Sequence, residues 1–212
     1  MGANVYVPTG FRNSTMWEKV LESWLDLVKK YENRMGQKEQ DFCYWYNERP
    51  LTGILGAAAW VLKDGWSLEE FVAKRKMEGE KRKGRPDLLI GLGREEAAVE
   101  AKIWWVAGQL TVAEEHVEEM LNEAREQLQG LQRWECQTVS ICFVVPWYKG
   151  INSKERGINA LTEIRKWADE SRARKVATAL HRSQKNTHWK GREYPGVLLI
   201  ARQEEFPMVR RT

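Results

Sequence analysis

The fold of this chain is decided by residues 85–102, which read RPDLLIGLGREEAAVEAK. Residues 86–91 and 96–105 each have the pattern of a strand and are separated by a glycine-containing turn, which predicts a β-hairpin. The hairpin is too apolar for an exposed ribbon, so we expect it to lie within a larger sheet.

Three charged residues of this hairpin are predicted to converge. Glu100 and Lys102 lie two apart on the second strand, and residues two apart on a strand share a face. Asp87 opens the first strand, from which it can come alongside Glu100. Two carboxylates and an ammonium group in an apolar setting need an explanation, because burying charge is costly.

Phosphodiester hydrolysis is a chemistry that such a cluster suits. Two carboxylates can hold Mg²⁺, a hard cation that prefers oxygen ligands, and Mn²⁺ is expected to substitute. A lysine beside them can orient or deprotonate the attacking water and offset charge on the phosphate. We therefore predict Asp87 and Glu100 as metal ligands and Lys102 as a catalytic residue.

Helical periodicity before and after the hairpin predicts an α/β protein. Residues 14–33 and a segment that begins near Asn47 carry apolar residues at spacings of three and four. Residues 67–78 are predicted as a third short helix, capped by Ser67. After the hairpin, a helix is predicted over residues 111–131.

The remaining pattern predicts a strand, a helix and a last strand. Residues 138–145 are expected to form a buried strand that ends at Pro146, residues 159–179 a helix, and residues 197–202 the last strand. A helix between two strands favours a parallel pair joined by a crossover. We expect a mixed sheet with helices on both faces.

The hairpin motif also resembles a known family. The PD at residues 86–87, followed by EAK at residues 100–102, resembles the signature of the PD-(D/E)xK phosphodiesterase superfamily. The order of the elements is similar as well. The resemblance covers residues 47–145 by motif, and it implies a restriction-endonuclease-like fold with an extra N-terminal helix, and the activity of an Mg²⁺-dependent nuclease.

Two further site residues follow from this resemblance. Many members carry a glutamate on the helix before the hairpin, and Glu48 is the matching position, which implies a third metal ligand. Some members carry a glutamine on the helix after the lysine, and Gln127 is similar in position, which implies a catalytic role. Each residue also has a structural interpretation, Glu48 as a first-turn acid and Gln127 as an ordinary helix residue.

Composition limits the classes of protein that this chain can be. At 212 residues and 42% hydrophobic content, the chain can form a core, and no apolar run approaches the roughly 18 residues of a membrane span. We expect one domain, with a helical part at about residues 1–46 and a motif-bearing core at about 47–202. The N-terminus has no pattern of a secretion signal, so we expect a cytoplasmic protein.

A block of basic residues precedes the motif. Lys81, Arg82, Lys83 and Arg85 lead directly to Asp87, and cations near a cleavage site are expected to bind phosphates. We therefore predict that this block binds nucleic acid, and we expect the nucleic acid to be DNA. A second basic group lies within residues 165–190, and the simpler interpretation of either block is a solvated face.

Three function classes stay open at this point. The first is a metal-dependent nuclease, which the intact Asp87, Glu100 and Lys102 favour. The second is a non-catalytic nucleic-acid-binding or assembly module on the same fold. The third is an interaction protein whose charges are structural. A homodimer is an open alternative to a monomer.

Overall fold

The computed structural model describes residues 4–38, 41–71, 73–77, 80–107, 113–129, 136–149, 153–170, 175–183, 188–189 and 191–206. Its elements are, in chain order, β1 (Val5–Tyr6), α1 (Ser14–Lys38), a 3-10 turn (Cys43–Trp45), α2 (Glu48–Trp60), β2 (Gly65–Glu69), β3 (Ala73–Met77), β4 (Glu80–Gly84), β5 (Leu88–Leu92), β6 (Glu95–Ala107), α3 (Ala113–Leu128), β7 (Gln137–Trp147), α4 (Ser153–Glu170), β8 (Val176–Arg182), β9 (His188–Trp189), β10 (Arg192–Glu193) and β11 (Gly196–Glu204).

Seven of these strands form one open sheet in the order β1-β8-β11-β7-β6-β5-β2. β6 and β7 run parallel, and every other neighbouring pair is antiparallel. β3 pairs with β4, and β9 with β10, as separate two-stranded ribbons. The described residues thus form an α/β protein with a seven-stranded mixed sheet and four α-helices.

The predicted hairpin is confirmed as β5 and β6, in the sheet. Leu88 lies opposite Val99 and Leu92 opposite Glu95, so the turn is made by Gly93 and Arg94. Gly93 has a φ of 62°, a conformation that glycine adopts without steric cost.

The helices cover both faces of the sheet, as expected. α1 and α2 pack on the face that carries Val99 and Phe143, and the indole of Trp24 stacks on the Phe143 ring at 5.9 Å between centroids. α3 and α4 pack on the opposite face against Cys142 and Val144. Because β7 alternates between these two cores, it is buried along nearly its whole length.

The helix predicted over residues 67–78 is wrong. Residues 65–69 form β2, the edge strand beside β5, and residues 73–77 form β3. Ser67 is opposite Ile90, and its hydroxyl donates to the carbonyl of Gly56 at 3.2 Å instead of capping a helix. Pairing with a strand twenty residues away overrides the helical preference of the local sequence.

The predicted connection of the last strands is also wrong in detail. β11 runs antiparallel to β7, because a further strand, β8, occupies residues that we predicted as the end of a helix. The crossover through α4 joins β7 to β8, and β11 lies between those two strands. β7 also continues through Pro146 to Trp147, pairing there with β6. Residues 111 and 112, where we predicted the start of the helix after the hairpin, lie outside the described residues.

None of the helices in the described ranges is long and apolar enough to cross a membrane.

A close approach between β2 and β5 gives a test of this register. A Cβ atom added at Gly91 would lie 2.2 Å from the Trp66 ring. We expect Gly91→Ala to lower the free energy of unfolding by about 1–3 kcal/mol, because the ring must move. Urea denaturation checks this value.

Two variants serve as controls for that measurement. Gly10→Ala should be nearly neutral, because nothing lies within 4 Å of an added Cβ there. In a Trp66→Ala background, Gly91→Ala should cost much less. The same cost in both backgrounds would show that β2 does not lie against β5 in this register.

Candidate active site

The start of the hairpin positions the first carboxylate. Asp87 lies in the bend directly before β5, and its Oδ2 accepts a hydrogen bond from the backbone N–H of Ala101 at 2.8 Å. Ala101 stands between Glu100 and Lys102 on β6. This side-chain bond therefore joins Asp87 to the strand that carries the other two predicted site residues, and the three converge as the sequence predicts.

Glu100 lies in the middle of the sheet and is only 3% exposed. Its Oε1 accepts from the Lys102 ammonium at 3.2 Å, while its Oε2 is buried and has no hydrogen-bond partner among the described residues. The Lys102 side chain is 21% exposed, so this ion pair extends from the buried Glu100 carboxylate to the protein surface. An unsatisfied buried acceptor costs about 1–3 kcal/mol, and a charged one costs more.

The environment favours the protonated form of both acids. Burial raises the pKa of Glu100 to about 7, and the nearby charge of Asp87 adds to the rise against the opposing effect of Lys102. Burial also raises the pKa of Asp87, although the Ala101 N–H and the Lys102 charge oppose the rise. Two acids that repel each other in a partly buried site are a common feature of functional sites.

α2 brings Glu48 towards this pair. Asn47 caps the helix, with its side chain accepting from the N–H of Arg49 at 3.2 Å, and Glu48 is half-buried in the first turn. The charge of Glu48 contributes to raising the pKa of Asp87, so the two carboxylates are near each other. Glu48 as a metal ligand stays a prediction.

Glu70 is a neighbour that the sequence did not indicate. Its backbone N–H donates to the carbonyl of Asp87 at 2.9 Å, and its charge also raises the pKa of Asp87. Its exposed carboxylate pairs with Arg49 at 3.1 Å. The signal lay in residues 65–69, which, taken as a strand beside β5, place Glu70 opposite Asp87.

Ser140 is a second such neighbour. It lies opposite Glu100 in the parallel β6–β7 pair, fully buried, and its hydroxyl has no hydrogen-bond partner within the described part of the chain. A serine within the otherwise apolar run of residues 139–145 was the available signal. The adjacent strands β6 and β7 thus each carry a buried polar atom with no hydrogen-bond partner among the described residues, Oε2 of Glu100 and Oγ of Ser140.

The remaining predicted residues are Gln127 and the basic block. Gln127 is exposed on α3, and none of the described hydrogen bonds connects it to the acids or the lysine. Lys81, Arg82 and Lys83 lie on β4, and the exposed Arg85 stands between β4 and Asp87. These four are adjacent to the site along the chain.

Part of the second basic group lies away from the motif hairpin. β8, which carries part of it, is four strands away from β5, or about 19 Å at the usual strand spacing. Arg165 pairs with Asp169 at 3.2 Å, and Lys175 forms an ion pair with Glu205. The members at residues 172, 174, 185 and 190 lie outside the described residues.

The donor set suits a hard cation held in part by solvent and substrate. Asp87 and Glu100 provide carboxylate oxygens, one of them without a partner among the described residues. Within the described ranges, no three acidic, histidine or cysteine side chains already form a group that could hold an ion. Mg²⁺ fits this arrangement, because it is usually held by one or two carboxylates and keeps several waters.

A buried cluster elsewhere combines a serine, a histidine and a glutamate. Glu32 on α1 contacts His181 at 2.6 Å and accepts from the Ser183 hydroxyl at 2.9 Å. Burial alone would raise the pKa of Glu32, but these hydrogen bonds outweigh it and the pKa is lowered. Through these two contacts Glu32 ties α1 to the end of β8.

No family model matches this chain, and no curated protein or solved structure is significantly similar to it.

The raised pKa of Glu100 predicts how stability depends on pH. In EDTA, the folded protein should keep a proton that the unfolded chain loses near its ordinary pKa of 4.5, so stability should fall as pH rises from there to about 7. Glu100→Gln should then raise the free energy of unfolding by up to about 3 kcal/mol at about pH 8, and change it little at about pH 4.

Urea denaturation at several pH values measures this effect. Glu115→Gln, at an exposed position of α3, is the matched control and should show no such dependence. A Glu100→Gln variant that is less stable than wild type at high pH would mean that the ionised carboxylate stabilises the fold and that its environment is not as described.

Proposed function

We propose that this chain is a divalent-cation-dependent nuclease that hydrolyses phosphodiester bonds in DNA. The proposal rests on one observation above all. Glu100 is buried beside Asp87, is paired on one side with Lys102, and presents a second oxygen that has no partner among the described residues. An ion pair between Glu100 and Lys102 that served only the fold would not need a second acid, Asp87, beside it. A cation site uses both carboxylates.

The fold supports the same proposal. α2, the hairpin strands β5 and β6, α3 and the parallel strand β7 come in the order that the resemblance to the PD-(D/E)xK superfamily implies, with α1 as the extra N-terminal helix. The motif lies at the start of β5 and in the middle of β6. We therefore propose that the mixed sheet is of the restriction-endonuclease-like type.

Each residue has a role in this proposal. Asp87 and Glu100 would hold Mg²⁺, and Glu48 would add a third carboxylate. A cation held there supplies positive charge that stabilises the phosphate as it is attacked. Lys102, which reaches the surface from beside Glu100, orients the attacking water and offsets the negative charge that builds on the phosphate.

A binding module on the same fold is the second candidate. The basic strand β4, next to the site, favours contact with nucleic acid whether or not hydrolysis follows. A direct test incubates the full chain with linear, circular, branched and single-stranded DNA in Mg²⁺ and in Mn²⁺. Cleavage that EDTA abolishes supports the nuclease, and binding to these DNAs without cleavage supports the module.

Lys102 gives the sharpest test of the mechanism. We expect Lys102→Ala to fold and to bind DNA, while cleavage falls by about 100-fold or more, because the group that assists the water is gone. Single-turnover cleavage at saturating DNA measures the rate, and thermal unfolding monitors the fold.

Lys63→Ala is the matched control for Lys102→Ala. Lys63 is exposed, and it lies near the hairpin turn, at the opposite end of β2 from Glu70. This control should cleave at the wild-type rate. A Lys102→Ala protein that also cleaves at that rate would remove the lysine from the mechanism.

A further inference from the structure

β3 and β4, which follow the edge strand β2 in the chain and precede Asp87, form a two-stranded ribbon. Five residues of each strand pair, which corresponds to a length of about 17 Å. Six of these ten residues are lysine or arginine, and none is aromatic. We call this pair of strands the basic ribbon.

The register of the basic ribbon places its lysines on one face and its arginines on the other. Directly opposed residues share a face, as do residues two apart on one strand. Lys74 is opposite Lys83, Lys76 opposite Lys81, and Arg75 opposite Arg82. One side, the lysine face, therefore contains Lys74, Lys76, Lys81 and Lys83, and the other, the arginine face, contains Arg75 and Arg82.

This register carries an energetic cost. Like charges directly opposite each other destabilise a strand pair, and a two-stranded ribbon outside a sheet is marginally stable even without them. The basic ribbon has three such opposed pairs in succession. A polyanion that neutralises them would remove the repulsion, so the arrangement favours a strongly anionic partner.

The position of the basic ribbon relates it to the candidate site. The chain enters β3 soon after Glu70, whose N–H donates to the Asp87 carbonyl, and only two residues separate the end of β4 from Asp87. Lys81, Lys83 and the exposed Arg85 follow at intervals of two residues. A polymer that contacts the ribbon is therefore brought to the acids.

We propose that the basic ribbon is an arm that binds the phosphate backbone of double-stranded DNA through its lysine face. A two-stranded ribbon fits the major groove of B-form DNA, whereas that of an RNA duplex is too deep and narrow. Proteins that hold single strands use aromatic platforms, which this ribbon lacks. Four lysines on one face contact phosphates without reading sequence.

This inference rests on the proposed nuclease function for its choice of DNA, and its test does not use cleavage. Binding is measured on the full chain carrying Glu100→Gln, in EDTA, over a range of salt concentrations. The probes are a short duplex DNA, one of its separated strands, and an RNA duplex of the same sequence. We expect the duplex DNA to bind most tightly.

The lysine face is then neutralised as a set. The variant should lose duplex affinity for all sequences alike, and the slope of log K against log salt should fall by three to four units, about 0.9 for each lost phosphate contact. Removing the arginines should lower the slope by less. The first variant carries Lys74→Gln, Lys76→Gln, Lys81→Gln and Lys83→Gln, and the second Arg75→Gln and Arg82→Gln.

Two further variants control for charge and for folding. Arginine at the same four lysine positions should keep the wild-type slope, because the charges remain. Glutamine at four exposed lysines elsewhere should leave binding unchanged; these are Lys19, Lys29, Lys30 and Lys63. Thermal unfolding should show that the glutamine variant of the lysine face is at least as stable as wild type.

The possible results separate this inference from the function on which it rests. An unchanged slope in the lysine-face variant, an equal loss in the arginine variant, or tighter binding to the single strand or to RNA would overturn the proposed arm. Lysine-dependent duplex binding by a chain that never cleaves DNA would support the arm and remove the nuclease. Cleavage of DNA together with binding that does not depend on these lysines would support the nuclease and overturn the proposed arm.

Discussion

The hydrogen bond from the Ala101 N–H to the Asp87 carboxylate is the contact on which the site depends. The donor lies on β6 between Glu100 and Lys102, and the acceptor lies at the start of β5, so this bond sets Asp87 beside Glu100. The opposite face of the same strand, with Val99 and Ala101, is packed under α1 and α2. The apolar core thus holds the acids together against their mutual repulsion, which protonation or a cation relieves.

Three neighbouring elements, β2, α2 and the basic ribbon, are related to Asp87, the acceptor of this hydrogen bond. The N–H of Glu70 secures β2 to the residue that carries the acid, α2 directs Glu48 towards it, and the basic ribbon leaves the sheet at the same point. Negative charge is therefore concentrated at the start of β5 and positive charge next to it. A phosphate polymer and a divalent cation are the ligands that would satisfy both.

Local pattern was sufficient to predict the hairpin, because its alternation and its turn glycine are properties of neighbouring residues. The convergence of Asp87 with Glu100 followed from the same alternation. β2 was missed because residues 67–71 have good helical spacing, and only pairing with β5 makes them a strand. Because of that error, Glu70 was not predicted to lie beside Asp87. β8 was missed because it is buried on both faces and alternates too little to differ from the helix before it.

Calorimetric titration of the full chain with Mg²⁺, and separately with Mn²⁺, at about pH 8 tests the central claim most directly, since this pH lies above the pKa of about 7 that burial gives Glu100. Wild type should bind one or two ions, and Asp87→Ala should bind none while keeping its fold. Glu115→Ala, which removes an exposed acid from α3, should bind as wild type does. Equal binding by wild type and Asp87→Ala, or no binding by wild type, would contradict the account.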